Sequence, residues 1–227
     1  MPVKSVAKPV SGKTPEKSLE KLDIRKQFKH LYDPSAKMVV TVDVPSMNFL
    51  TIDGSGDPNT AQAYVEAVET LYGLAYNLKF ASKKIGKDYQ VLPLEGLWWM
   101  DDMGAAYGDV DFTADKSRWK WTMIIMQPDV VTRTMVDDAI ADLQWKKNPL
   151  NLGKVRFESF QEGLAAQIMH IGPYRAEKPN IDRIHAYITE SGHEPTGKHH
   201  EIYLGDPRKT QPEKLKTVIR QPMKKIE

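Results

Sequence analysis

The chain contains no cysteine. No disulfide framework, thiolate metal site or cysteine nucleophile can be built from it, and a reducing compartment suits it. Excess charge is also lacking: 32 Lys and Arg against 30 Asp and Glu leave a net charge of +2. Nucleic-acid readers carry a clustered basic surplus, so no nucleic-acid partner is expected. Long apolar runs are missing too. No uncharged stretch nears the roughly 18 residues of a membrane span. The opening MPVKSVAKPVSGKTPEKSLEK has no apolar segment of the secretory kind. The expectation is a cytoplasmic protein without membrane association, with residues 1–20 as a disordered tail and one domain over 21–227. Its oligomeric state is not readable.

Several catalytic signatures are absent as well. No HExxH spacing occurs, and His193, His199 and His200 are close in sequence only, because adjacent strand residues diverge. No metal site is expected. GSGDPN lacks the third glycine and the lysine of a phosphate loop, and Asp57 would repel phosphate. No Gly-x-Ser-x-Gly elbow is present. The chain is expected to work without a cofactor.

What remains is an ordinary globular composition, 41% hydrophobic and 27% charged over 227 residues, enough for a sizeable core. Residues 23–32 read as a short charged helix. Residues 38–44 and 47–52 read as two strands with Pro45 as the break between them. Tyr64, Val68, Leu71, Ala75 and Leu78 recur at helical spacing, which predicts a helix over 61–84 closed by Lys83, Lys84 and Gly86. Strands are predicted over 91–100 and 118–127, separated by a loop over 101–116 that either covers a site or merely connects. A helix over 135–145, a strand over 163–171, a turn at GPYRAEKPN, a helix over 181–190 and strands over 199–204 and 215–222 follow.

The order repeats. In one half a strand ends at Ile52, Gly54 turns the chain and a helix and two strands follow; in the other a strand ends at Ile171 and Gly172 does the same. LWWMDD occupies the place of IYLGDP. The expected fold is α+β: two strand–helix–strand–strand repeats, about 38–128 and 155–223, forming one antiparallel sheet. Helices cover one face, and the other is left as an open ligand cleft.

Aromatic and acidic residues are the candidates. Trp98 and Trp99 are strand neighbours and face opposite ways, so one packs on the helices and the other needs a ligand to explain it. Trp119 and Trp121 share one face. Core packing is the ordinary role of any of them. Glu201 shares a strand face with Tyr203, opposite His200, Ile202 and Leu204. A solvated face is the ordinary reading of a strand glutamate; among aromatics, the carboxylate becomes a base or a cation ligand. Glu95 shares parity with Leu97 and Trp99, and aligning the repeats places Gly96 opposite Glu201. A bulge beside Gly96 would exchange the two parities.

VPSMNFLTIDGSGDPN, LYGLAYNLKFASKK, PLEGLWW, IMHIGPY and, most specifically, HEIYLGDPRKTQPEKLKTVIRQPM resemble the GyrI-like small-molecule-binding family over about residues 22–223. The resemblance implies two strand–helix–strand–strand repeats around a cleft. In relatives fused to DNA-binding helices, a penultimate-strand glutamate senses cationic drugs, and Glu201 occupies that place. The stand-alone branch implies water addition to the cyclopropane of DNA-alkylating aromatic natural products, a detoxifying reaction. The alternative is a non-catalytic binder or effector sensor for hydrophobic or cationic drugs. On this resemblance Glu201 would orient or deprotonate water. A tyrosine hydroxyl, from Tyr174 or Tyr203, would hydrogen-bond the water or the developing oxyanion. The remaining ligand-binding candidates are Trp98, Trp99, Glu95, Trp121, Met123, His170 and Tyr107. The partner expected is an aromatic or cationic small molecule.

Overall fold

The structure is a computed structural model that describes residues 20–101 and 116–227. Residues 1–19 of the predicted tail, Tyr107 and residues 102–115 of the predicted loop lie outside the described residues, whereas Glu20, the last residue assigned to the tail, opens a strand.

Two strand–helix–strand–strand units are present. The first is β2 (Val40–Ser55), α3 (Gln62–Lys84), β4 (Leu94–Trp99) and β5 (Lys120–Gln127). The second is β6 (Arg156–Ile171), α5 (Lys178–Glu190), β8 (His199–Tyr203) and β9 (Lys216–Lys225). α4 (Arg133–Lys146) connects them. The helix expected over 23–32 is two short turns, α1 (Ile24–Gln27) and α2 (Lys29–Tyr32), with Asp23 capping the first through its side chain. β1 (Glu20–Leu22), β3 (Lys87–Tyr89) and β7 (His193–Pro195) are additional three-residue strands. Segments that short carry no readable period.

The fold is α+β and mostly antiparallel, as expected, but the sheet is not open. Its order is β6-β2-β5-β4-β8-β9-β7, and β6 also pairs with β9 along Ala165–Ile171. Six strands therefore close into a barrel-like ring. β6 can hold both neighbours because it is 16 residues long and turns at Gly163, whose φ of 74° suits glycine. The face expected to be an uncovered cleft is thus the inside of a ring. It is filled by Val42, Val44, Phe49, Leu97, Ile124, Met169, Ile202 and Val218, joined by Leu31 and Tyr32 from α2.

Pro45 does not end a strand. β2 runs through it, and β5 pairs with β2 only from Asn48 onward, so the missing N–H faces no second neighbour. What changes at Pro45 is facing. Val42 and Val44 point into the ring, as do Met47 and Phe49, so inward parity switches from even to odd. β6 switches in step at Gly163: Phe160 packs with the inner core before it, Ala165 and Met169 after it. Register across the pair is kept, Val44 opposite Gly163 and Ser46 opposite Gln161.

All three long helices lie outside the ring. α3 and α4 cover β2, β4 and β5 through Leu71, Leu74, Leu78, Val136 and Leu143. α5 covers β6 and β9 through Ile181, Ile184 and Ile188. The outer wall between these two cores is formed by β4 and β8.

Candidate functional site

On that stretch of wall the register places Gly96 opposite Glu201, Trp98 opposite His199 and Leu94 opposite Tyr203. The alternation of β8 sends His200 and Ile202 inward and His199, Glu201 and Tyr203 outward. The predicted partition of this strand holds, while the outward face is the helix-bearing one.

Glu201 is the centre of a hydrogen-bonded cluster. Its side chain is 13% exposed. Tyr203 Oη donates to one carboxylate oxygen at 2.8 Å, and His199 Nε2 lies 3.2 Å from the other. Trp98 Nε1 donates in turn to Tyr203 Oη at 3.0 Å. Trp98, Met123 and Tyr203 converge over Gly96: a Cβ there would lie 2.6 Å from Trp98 Nε1, 2.7 Å from Met123 Cε and 3.0 Å from Tyr203 Oη. Glycine at this position is what lets three large side chains lie flat on the wall.

Aromatic rings surround the carboxylate. Tyr64 of α3 stacks on Trp98 at 6.1 Å and meets Trp121 edge-on at 5.5 Å. Trp119 meets Trp98 edge-on at 5.4 Å, and Tyr174 meets Tyr203 at 5.7 Å. Offset and edge-to-face contacts of this kind are the favourable aromatic geometries. Tyr174 is the exposed member, at 39%. Burial, together with Glu201 and Glu177, pushes its phenol up to about 12.

Glu177 completes the cluster. It sits in the turn before α5, is buried at 4% exposure, and lies against Glu201 within hydrogen-bonding reach. Thr217 and Glu201 are its hydrogen-bonding neighbours. Two carboxyls in contact in a low-dielectric site do not both ionise. Burial, reinforced by the charge on Glu201, raises Glu177 well above the carboxylate range. For Glu201 burial also acts upward, but hydrogen bonds from His199, Tyr203 and Glu177 outweigh it and hold the carboxyl below its usual value.

The other sequence candidates are dispersed. Trp121 and Met123 form the buried floor beneath Tyr64 and Gly96. His170 stands behind the site: its Nε2 meets the Pro173 carbonyl at 3.2 Å and its Nδ1 meets Asn180 Nδ2 at 3.1 Å. Those contacts fix the turn that carries Tyr174 and Glu177. Glu95 lies on the far side of the wall, inside the ring, where it accepts from Tyr32 Oη and His200 Nε2, each at 3.0 Å. No bulge exchanges its parity with Gly96. Trp99 shares that parity at the strand end, with Lys198 Nζ 3.3 Å from its ring centroid.

Glu177 and Tyr64 were not identifiable from sequence. Glu177 reads as one more charge in a turn, and Tyr64 as one member of a core stripe. The available signal was the spacing of three between Tyr174 and Glu177, which puts both on one side of a single helical turn. Among the described residues no group of three or more His, Cys, Asp or Glu side chains is arranged to hold a metal ion. No helix among them is long and apolar enough to cross a membrane.

An uncharacterized conserved protein from Listeria innocua is 37% identical and superposes with a TM-score of 0.81, covering 89% of this chain and all of that one. A hydrolase from the same organism is 36% identical with a TM-score of 0.76 and the same coverage. The C-terminal domain of EcmrR, at 11% identity and a TM-score of 0.52 over 83% of this chain and 98% of its own, shares the fold. A search of curated proteins finds no match. Residues 38–224 match the GyrI-like small molecule binding domain, and the chain belongs to that family.

Proposed function

We propose that the outer-wall site binds flat aromatic electrophiles and adds water to them, with the spirocyclopropane of DNA-alkylating natural products as the substrate class. The observation that carries this reading is Glu201: a partly buried carboxylate, oriented by His199 and Tyr203, at the edge of a group of tryptophan and tyrosine rings. Family membership supplies the small-molecule role, and the 36%-identical Listeria protein described as a hydrolase agrees with turnover.

The chemistry is simple to balance. Glu201 accepts a proton from water as its oxygen bonds to the strained methylene carbon. The cyclopropane C–C bond breaks, and its electron pair moves through the dienone to the carbonyl oxygen. The phenolate so formed is met by the hydroxyl of Tyr174, the exposed phenol of the cluster. Ring stacking on Trp98 and Tyr64 holds the flat skeleton.

The test is incubation with a cyclopropane-bearing alkylator, followed by mass spectrometry for a product heavier by one water. Glu201→Gln is expected to keep ligand-dependent tryptophan quenching and to lose turnover by about 10²-fold or more. Undiminished turnover in that variant would remove Glu201 from the reaction.

A second reading is favoured by one observation. Glu201 is held below the ordinary carboxylate range, which makes a weak base but a durable counter-charge for a cation. In that case cationic aromatics quench tryptophan fluorescence and wild-type protein yields no hydrated product.

A further inference from the structure

The outer side of α3 differs from that of the other two long helices. Outward positions of α5 are Asp182, Arg183, Ala186, Thr189 and Glu190, and those of α4 open on Arg133, Asp137 and Asp138, with Trp145 alone near its end. These are mainly polar, solvated faces. On α3 the stripe that points away from the ring is Val65, Glu69, Tyr72, Tyr76, Phe80 and Lys83, at helical spacing. Val65 is 45% exposed, Tyr76 50% and Phe80 55%, and the half-buried Tyr72 has its ring 6.4 Å from that of Tyr76. Single apolar residues are normal at a surface, whereas a contiguous row marks a contact. We propose that this row is a self-complementary docking surface for a second copy of the chain, with the two α3 helices antiparallel about a two-fold axis at Tyr76.

In a two-fold pair each residue faces the one equally far on the other side of the axis. With the axis at Tyr76, that residue faces its own copy. Tyr72 and Phe80, each four positions away, face one another, and so do Glu69 and Lys83, each seven away. Four residues are about one helical turn and seven about two, so all five side chains stay on one side of α3. The centre of the contact is aromatic, and each end is a pair of opposite charges. An axis one turn away loses this match: at Tyr72 it sets Glu69 against Ala75, and at Phe80 it sets Lys83 against Asn77. Both charges are exposed and available. Arg208, beside Glu69, is held by both oxygens of Asp206, and Asp88, beside Lys83, is paired with Lys79 at 2.7 Å. The contact is modest in size. α3 spans about 35 Å, and one helix face falls at the lower end of specific interfaces, which makes the dimer reversible. The proposal is independent of what the outer-wall site binds.

The test is sedimentation velocity on the full chain between about 1 and 500 μM, the range in which a small interface of this kind associates. A monomer–dimer equilibrium is expected. Tyr76→Glu puts two like charges at the axis and raises the dissociation constant by about tenfold or more. Glu69→Lys and Lys83→Glu, each alone, set like charges at both ends and weaken the dimer. The double substitution inverts both pairs and returns it to wild-type strength, and equimolar mixing of the two single variants does the same through a heterodimer. Trp145→Ala, on the outer side of α4, leaves the equilibrium unchanged. All these positions are exposed, and far-UV circular dichroism checks that each variant is folded. A wild-type chain that stays monomeric over the whole range overturns the proposal. So does a dimer that persists in Tyr76→Glu or is lost in Trp145→Ala, because it uses another face. A double variant as weak as the singles overturns the antiparallel pairing about Tyr76, and the proposal with it.

Discussion

At the scale of single residues, the site depends on an absence. Gly96 has no Cβ, and three side chains use the space. Gly96→Ala is expected to push Trp98 off Tyr203, break their hydrogen bond and destabilise the protein by roughly 1–3 kcal/mol. Near-UV circular dichroism and urea unfolding report the two effects. An unchanged aromatic spectrum would mean that the three side chains do not meet over Gly96. Glu201 was legible at this scale because a period-two strand sorts its residues by face whatever lies beneath. Glu177 was not, because one glutamate in a turn of mixed charge looks the same whether it meets solvent or another carboxyl. The facing of Glu95 stayed open for a related reason. Parity says which residues share a face; which face holds the ligand depends on where the sheet goes.

At the scale of elements, helices and strands were readable from periodicity and closure was not. The α3 stripe and the alternation of β8 are local patterns, and the structure follows them. Pairing of β6 with β9 joins residues about 50 positions apart, and no local pattern encodes that. The clue was Pro45, read as the end of a strand when it marks a turn in facing shared with Gly163. Gly163 has φ of 74° and open space where a Cβ would go. Gly163→Ala therefore costs backbone strain alone, about 1–2 kcal/mol, seen as a lower urea midpoint with an unchanged fold. A midpoint equal to wild type would show that the bend needs no glycine.

At the scale of the molecule, the ring is built around a buried ionic chain. His200 reaches Glu162 and Glu95, each at 3.0 Å; Arg220 reaches Glu162, Gln167 and the Leu31 carbonyl, each at 2.9 Å; and Gln167 donates to the His30 carbonyl. The chain ties α2 to the inside of four strands. Burial opposes the charge on His200, but Glu162 with the hydrogen bonds of Glu162 and Glu95 lifts its pKa from 6.5 to about 9. Burial likewise acts upward on Glu162, and His200 with Arg220 brings it from 4.5 down to about 2. The signs are opposite. The contribution of His200 is complete below about pH 6.5 and is lost as pH rises through 9. That of Glu162 is complete above about pH 4.5 and is lost as pH falls through 2. Melting temperature is expected to be highest between these limits and to fall on the alkaline side by an amount worth a few kcal/mol. A flat profile from pH 6.5 to 9 would show that His200 is not charged inside the ring.

The wall between the two charge systems is a single strand thick. In β8, positions 199, 201 and 203 serve the outside and positions 200 and 202 the inside. Ligand preference and fold integrity are therefore written on alternate letters of the same five-residue word. A slip of one residue in this strand would turn Glu201 inward and take His200 away from Glu162 and Glu95, whose contacts hold its charge. The outer cluster would lose its central carboxylate in the same step that broke the inner pairs. Slips of two would restore the facing of both. New specificity in this protein is thus reached by substitution at odd positions and closed to any single insertion or deletion between them.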